Sequence, residues 1–96
     1  MNLSLKDSLA ICREVVFREL GDEAVLLNLK TGTYFGLDPV GTNIWRLIAQ
    51  HGSLARVLEA MLEKYEVVPQ TMERDLLELS ERLCANGLGK VISGDS

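Results

Sequence analysis

The segment at residues 31–45, TGTYFGLDPVGTNIW, decides the fold because it predicts a turn, a strand and a helix start in direct succession. Gly32 can adopt the positive φ angle that a tight hairpin requires. Residues 33–37 alternate their side chains between two faces, as the two-residue period of a strand demands. Asp38 and Pro39 then predict a helix start, because Asp accepts from free backbone N–H groups and Pro fits the first helical position. The chain therefore changes from strand to helix at this point.

Two more strands are predicted on the N-terminal side of this segment. Residues 14–20 mix β-branched and aromatic side chains with charges, and Gly21 with Asp22 forms a turn signal. Residues 23–29 form the second strand, and the residues that share one of its faces are Val25, Leu27 and Leu29. The short turns between the three strands predict a three-stranded antiparallel meander.

Three helices are predicted on the C-terminal side. The first ends at Gly52, a residue suited to a left-handed cap. Ser53 caps a second helix, whose apolar stripe runs at helical spacing to Tyr65. The third helix covers residues 69–85, and residues 88–92 predict either a short terminal strand or a tail folded onto the core.

Three strands followed by three helices predict an α+β protein, in which a small sheet packs against the helices. Helices joined by short turns beside a hairpin also suit a winged helix-turn-helix. The length of 96 residues fits one domain, so we expect a single domain over residues 1–96 with an ordered core from about 13 to 92. Phe35 and Trp45 are expected in that core, because burial of an aromatic side chain contributes about 2–3 kcal/mol.

Charge and hydropathy argue against two kinds of partner, nucleic acid and membrane. The chain has a formal net charge of −4 and a pI of about 4.9, so it gains no counterion release from a phosphate backbone. Its Lys and Arg residues form no basic run. No apolar run approaches the ~20 residues of a membrane span. Lys6 and Asp7 interrupt the N-terminal segment where a signal peptide needs apolar residues, so we expect a cytoplasmic protein.

Residues with catalytic or metal-binding chemistry are scarce. His51 is the one histidine, and Cys12 and Cys84 are far apart and outside any paired-cysteine motif. A closed zinc site normally needs four nitrogen or sulfur ligands, so we interpret the cysteines as reduced thiols that pack as small apolar side chains. The glycines match no phosphate-binding loop. We therefore expect no enzyme activity, no catalytic residue, no metal and no cofactor.

The third predicted strand, at residues 33–37, carries no charged residue and no Pro. If it lies at the edge of the sheet, its unpaired backbone groups are either protected or become a template for another strand. An extended peptide can add to such an edge through main-chain hydrogen bonds, while adjacent apolar side chains select its alternate residues. The alternatives are that a tail of this chain or a second copy covers the edge.

Residues 32–45 also resemble the signature of PqqD-like proteins. That pattern is roughly Gly, any residue, Tyr-Phe, any residue, Leu, Asn or Asp, any residue, Val or Thr, Gly or Ala, and then Ile-Trp. Residues 24–29 look like the family's second strand, and residues 75–79 with 87–88 look like its last helix and terminus. The likeness covers about residues 13–92. The Tyr-Phe-Gly-Leu-Asp form is closer to the stand-alone recognition proteins of lasso-peptide and related clusters than to the pyrroloquinoline quinone protein.

The resemblance implies a winged helix-turn-helix that serves as a recognition element in pathways of ribosomally synthesised, post-translationally modified peptides. Such domains hold the leader of a precursor peptide as an antiparallel strand on the third strand, beside the third helix. They present the core peptide to a modifying enzyme such as a leader peptidase, cyclase or radical enzyme. Carried onto this chain, the main-chain contacts fall on Thr33, Tyr34, Phe35, Gly36 and Leu37. The groove wall falls on Asp75, Leu76, Leu79, Arg82 and Leu83, where Asp75 or Arg82 could pair with a charged leader residue.

Two other functions stay open from the sequence. A winged-helix nucleic-acid-binding protein shares the fold, although acidic residues outnumber basic ones in the third predicted helix. A structural subunit would form a homodimer through the third strand. The adaptor interpretation predicts a monomer or weak homodimer that binds a precursor peptide, and neither a nucleic acid nor a membrane.

Overall fold

A computed structural model describes residues 3–93 of the chain. Three antiparallel strands are followed by three helices, so the predicted α+β winged helix-turn-helix is confirmed. A second pair of strands joins the two ends of the described chain. The elements are β1 (Asp7–Ile11), β2 (Val15–Leu20), β3 (Glu23–Asn28), β4 (Thr33–Leu37), α1 (Pro39–His51), α2 (Leu54–Lys64), α3 (Pro69–Ala85) and β5 (Gly89–Ser93).

The antiparallel pair β1–β5 is the part of the fold that lies outside the predicted meander. Of the two structures predicted for residues 88–92, the strand is confirmed. β1 was not expected, because a five-residue strand with Leu9 as its one buried residue has no local pattern of its own. It depends on a partner from the other end of the chain. The backbone N–H of Leu9 also donates to the carbonyl of Gly52 at 2.9 Å, which attaches β1 to the turn between α1 and α2.

The turn and cap residues act as predicted. Asp38 Oδ1 accepts from the backbone N–H of Gly41 at 2.7 Å, and Ser53 Oγ accepts from a backbone N–H in the first turn of α2 at 3.3 Å. Gly52 ends α1 with a φ angle of 75°, and Gly32 has a φ angle of 77° in the β3–β4 turn. Each of these positions therefore fixes where an element starts or stops.

The core lies between the three helices and the inner face of the sheet β2–β3–β4. Phe35 and Trp45 are both buried, as predicted. On β3, Leu26 and Asn28 face the core, while Val25 and its alternate neighbours face away from the helices. The period of a strand predicts which residues share a face, but the packing decides which face is buried. The most buried apolar helix residues are Ile44, Trp45, Ile48, Leu54, Val57, Met61, Met72, Leu76 and Leu83.

The first strand of this sheet is held against α1 by two side-chain contacts. The rings of Phe17 and Trp45 are stacked, with centroids 6.4 Å apart and an interplanar angle of 24°. Glu19, two residues after Phe17, forms an ion pair with Arg46, the residue after Trp45. Phe17 and Glu19 therefore mark the inner face of β2, and Val16, Arg18 and Leu20 lie on its outer face.

A buried amide, that of Asn28, links the β3–β4 turn to the end of α3. Its Nδ2 donates to the carbonyls of Asn86 at 3.2 Å and Gly87 at 3.3 Å, and its Oδ1 accepts from the N–H groups of Lys30 at 2.9 Å and Thr31 at 3.3 Å. Gly87 has a φ angle of 71°, and a Cβ atom there would lie 2.9 Å from Asn28 Nδ2. The close approach of the Asn28 side chain to the backbone at position 87 therefore requires glycine there.

We expect Asn28→Ala to lower the free energy of unfolding by about 2–4 kcal/mol, because four hydrogen bonds are lost and partly buried backbone groups lose their partners. Urea unfolding followed by the emission of Trp45, the single tryptophan, measures the change. Gln70→Ala is the matched control, since it removes an exposed amide from α3 and is expected to cost less than about 0.5 kcal/mol. An equal loss in both variants would contradict the role of Asn28.

Candidate functional site

β4 lies at one edge of the three-stranded sheet, whose order is β2–β3–β4. Its residues pair with β3 from Leu37 opposite Ala24 to Thr33 opposite Asn28. Within residues 3–93, no strand pairs with the other side of β4. Successive residues of an antiparallel strand direct their backbone N–H and C=O groups to alternate sides. Every second residue of β4 therefore offers both groups to the open edge.

A groove of about 450 Å³ runs between β4 and α3. Residues of β4 form one wall, the beginning of α1 forms the base, and one face of α3 forms the other wall. The α3 residues are three or four positions apart, so they share a helix face. The lining residues are Phe35, Gly36, Leu37, Asp38, Val40, Gly41, Ile44, Asp75, Glu78, Leu79 and Arg82.

Gly41 lies where β4, α1 and α3 approach one another at the base of the groove. A Cβ atom at this position would lie 3.1 Å from Asp38 Oδ1, 3.4 Å from Leu37 Cδ2 and 3.6 Å from Leu79 Cδ2. A Cβ atom would therefore make ordinary van der Waals contacts with Leu37 and Leu79 and would crowd the Asp38 carboxylate. A larger residue here would fill part of the groove.

The groove is lined by apolar side chains and by charged ones at its rim. The rim carries three carboxylates, those of Asp38, Asp75 and Glu78, and one guanidinium, that of Arg82. Arg82 Cζ lies 5.1 Å from the centroid of the Phe35 ring, which is within the range of a cation–π contact. This contact holds the Arg82 side chain across the β4 wall. The free space between β4 and α3 is therefore bordered by net negative charge.

A family model described as Coenzyme PQQ synthesis protein D (PqqD) matches residues 23–88. The chain belongs to the PqqD family. The matched region begins with β3 and includes β4, α1 and all of α3, so every residue that lines the groove lies inside it. This match confirms the resemblance that residues 32–45 predict. A comparison with curated protein sequences finds no match.

Two solved structures are similar to this PqqD-family protein over most of its length. One is TbiB1 in complex with the TbiA(beta) leader peptide, with a TM-score of 0.79 and 40% sequence identity over 83% of this chain and 93% of that chain. The other is a lasso peptide synthetase B1 complexed with the leader peptide. Its TM-score is 0.77, with 25% identity over 86% of this chain and 98% of that chain. Both of these similar proteins hold a leader peptide.

Six of the ten predicted site residues of this PqqD-family protein meet in the groove, namely Phe35, Gly36, Leu37, Asp75, Leu79 and Arg82. Leu76 and Leu83 are fully buried on the α3 face that meets the core, so they support the groove wall from behind. Thr33 is exposed at the start of β4. Tyr34 points to the sheet face opposite the helices, so it contributes its backbone to the open edge and its side chain to the other side.

Five residues that line the groove are absent from the predicted set, namely Asp38, Val40, Gly41, Ile44 and Glu78. Helical spacing carried a signal for Glu78, since it lies three residues after Asp75 and four before Arg82. The α1 residues had no such signal, because their position beside α3 depends on how the helices pack.

Groups that could catalyse a reaction are few. Over residues 3–93, no three His, Cys, Asp or Glu side chains are grouped to hold a metal ion, and no helix is long and apolar enough to cross a membrane. Cys12 and Cys84 are free and half-buried. Burial raises the pKa of the Cys84 thiol, and the nearby Cys12 and Glu81 raise it further. Cys84 is therefore a neutral thiol at neutral pH and a weak nucleophile.

We expect the rate at which iodoacetamide alkylates Cys84 to rise at a higher pH in the folded protein than in the urea-unfolded protein. The raised pKa keeps the thiolate fraction low until the pH exceeds the usual range for cysteine. Mass spectrometry of the Cys84 peptide gives the alkylation rate at each pH. Burial that only blocks the reagent lowers this rate at every pH, so it does not shift the midpoint of the curve of rate against pH. Coincident midpoints in the folded and unfolded protein would contradict the raised pKa.

Proposed function

We propose that this PqqD-family protein is a non-catalytic adaptor. It binds the leader region of a ribosomal precursor peptide as an added strand on β4 and presents the peptide to a modifying enzyme. The observation that carries this proposal is the open edge of β4 beside the groove of α3. TbiB1 and the lasso peptide synthetase B1, which share the fold, both hold a leader peptide. The leader of a lasso-type precursor is therefore the favoured ligand.

β4 suits strand addition better than β2, which forms the opposite edge of the sheet. β2 carries Arg18 and Glu19, and Glu19 is paired with Arg46 of α1. Charged side chains on an edge strand discourage pairing with another strand. β4 has no charged residue, so a second backbone can approach it without displacing or burying a charge.

A strand added to β4 directs every second side chain toward the groove. Those side chains meet the apolar residues of the groove, which include Phe35, Val40 and Leu79, and the charged residues at its rim. Apolar leader residues at these positions supply most of the side-chain affinity. A charged leader residue near Asp75 or Arg82 adds only about 0–1 kcal/mol, because both of these side chains are exposed to water.

The adaptor orders a leader that is otherwise flexible, and this ordering costs conformational entropy. We therefore expect a moderate dissociation constant, about 10 nM to 10 µM. Holding the leader raises the effective concentration of the core peptide at the enzyme. This role needs binding and orientation but no catalytic group. Its proposed location is the cytoplasm, where a ribosomal precursor is made.

A nucleic-acid-binding function is the second candidate, since winged helices often bind DNA. The charge of α3 opposes it, because acidic residues outnumber basic ones along the helix. The charged residues of α3 are Glu73, Asp75, Glu78 and Glu81 against Arg74 and Arg82. A homodimer joined through β4 is the third candidate, and a second copy would then compete with the leader for the same edge.

We expect Tyr34→Pro to abolish leader binding, because proline lacks a backbone N–H and its ring clashes with an added strand. Tyr34→Phe is the matched control. It keeps the backbone donor and changes a side chain that faces away from the groove, so its affinity is expected to stay within about twofold. Fluorescence polarisation with a labelled leader measures both variants, and circular dichroism verifies their folding. A folded Tyr34→Pro variant with unchanged affinity would rule out strand addition.

The peptide offers a test of the same mechanism that leaves the protein unaltered. Methylation of a single backbone nitrogen in the leader removes one donor. We expect binding to be lost at every second position, because alternate residues of an added strand direct their N–H groups to β4. Equal tolerance of methylation at all positions would contradict the mechanism even if the Tyr34→Pro variant fails to fold.

We expect no retardation of double-stranded DNA in a gel shift at about 0.1 M salt, because the acidic chain releases few counterions. The leader complex, measured at the same protein concentration, is the positive control for an active preparation. A DNA complex that forms at low salt and weakens steeply as salt is added would favour the nucleic-acid function instead.

A further inference from the structure

The sheet β2–β3–β4 has an outer face that no helix covers in the described part of the chain. Phe17 stacks on Trp45 of α1, and Leu26 and Phe35 are buried, so these residues mark the inner face. The residues that alternate with them point to the opposite side. This second side is the outer face, and its strand residues are Val16, Arg18, Leu20, Glu23, Val25, Leu27, Tyr34 and Gly36. Leu29 follows β3 directly, at the start of the β3–β4 turn.

Apolar side chains form a continuous row on the outer face. The strand register places Val16 opposite Leu27 and Leu27 opposite Tyr34, so the three side chains are direct neighbours. Tyr34 is 71% exposed, and Leu20 and Leu29, toward the two ends of the face, are 60% and 59% exposed. Contiguous apolar surface of this kind on a small protein marks an interaction site more often than scattered exposed residues do.

Arg18 supplies the positive charge of this face. It lies in the row that continues through Val25 to Gly36. Among the described residues no carboxylate lies within 4 Å of Arg18, whereas Arg46 and Arg74 each have an acidic neighbour. The same face also carries the exposed carboxylate of Glu23, which lies opposite Leu20 and two residues along β3 from Val25. A partner surface that fits the outer face is therefore apolar at its centre, offers a carboxylate to Arg18 and offers a donor or basic group to Glu23.

The leader would extend this face. A strand added to β4 becomes the fourth strand of the sheet, and the side chains that do not enter the groove lie on the outer face. One of them would sit directly beside Tyr34, at the spacing of cross-strand neighbours. The outer face of a loaded adaptor would then consist partly of protein and partly of leader, and this continuity singles out a partner that handles the precursor.

We propose that the modifying enzyme docks on the outer face and contacts the protein and the bound leader together. This inference rests on the strand addition proposed above. It follows that the enzyme binds the loaded adaptor more tightly than the empty one. By thermodynamic linkage, the enzyme also raises the affinity of the adaptor for the leader by the same factor. An enzyme that used this face would thus select adaptors that already carry a precursor.

The test uses the double variant Leu20→Ser/Leu29→Ser, which removes two exposed apolar side chains outside β4 and outside the groove. Val68→Ser is the matched control, because Val68 is 58% exposed and lies between α2 and α3, away from the sheet. Biolayer interferometry measures the affinity of the leader-loaded adaptor for the modifying enzyme that acts on the same precursor. Fluorescence polarisation measures the affinity of the adaptor for the leader of that precursor.

We expect the double variant to bind the enzyme about 10-fold more weakly or worse, with its leader affinity unchanged. The control variant is expected to keep both affinities. Arg18→Glu is expected to weaken enzyme binding as well, because it sets a negative charge against the partner carboxylate.

Three results overturn the proposal, and they are distinguishable. Unchanged enzyme affinity in the double variant, with normal leader binding, removes the docking surface but leaves the adaptor function intact. If light scattering shows that the native chain is a dimer and the double variant is a monomer, the outer face is occupied by a second copy of the chain. A native chain that does not bind the leader at all removes the adaptor function and the docking surface together.

Discussion

The contact between Asn28 and the end of α3 determines where the groove lies. The buried Asn28 side chain donates two hydrogen bonds to the carbonyls of Asn86 and Gly87 and accepts two from N–H groups of the β3–β4 turn. β4 leaves this turn directly, so the same contact sets its position beside α3. A buried amide with all of its partners specifies one arrangement, because a shifted hairpin would leave polar groups unpaired away from water. Gly87 makes the contact possible by having no side chain at the closest approach.

Alternation along β4 then gives one short strand two different surroundings. Phe35 and Leu37 turn inward, where they complete the core and form a wall of the groove. Tyr34 and Gly36 turn outward, where nothing in the described chain covers them. In the proposed function a leader on the open edge continues both surfaces. Its inward side chains are selected by the groove, and its outward side chains are displayed to the enzyme.

The segment at residues 31–45 could be predicted in detail because its signals act over a few residues. Gly32 acts through its own positive φ angle, and Asp38 acts by accepting a hydrogen bond from a nearby backbone N–H group. The edge position of β4 follows from the order of a meander, in which the third strand has one neighbour. The base of the groove could not be predicted, because Gly41 meets Leu79 only after α1 and α3 have packed. β1 was missed for a similar reason, since its partner lies at the other end of the chain.

The amino-acid sequence alone determined the order of the elements, their caps and turns, the absence of charge on β4 and the acidic character of α3. These properties depend on residue type and on spacing within one element, so no knowledge of the packing is needed to infer them. Only the tertiary structure decided that Leu76 and Leu83 face the core while Leu79 and Arg82 face the groove. It also decided that Tyr34 points away from the groove. The rotation of a helix about its axis and the buried side of a strand are set by contacts between distant segments, and local preferences carry no information about them.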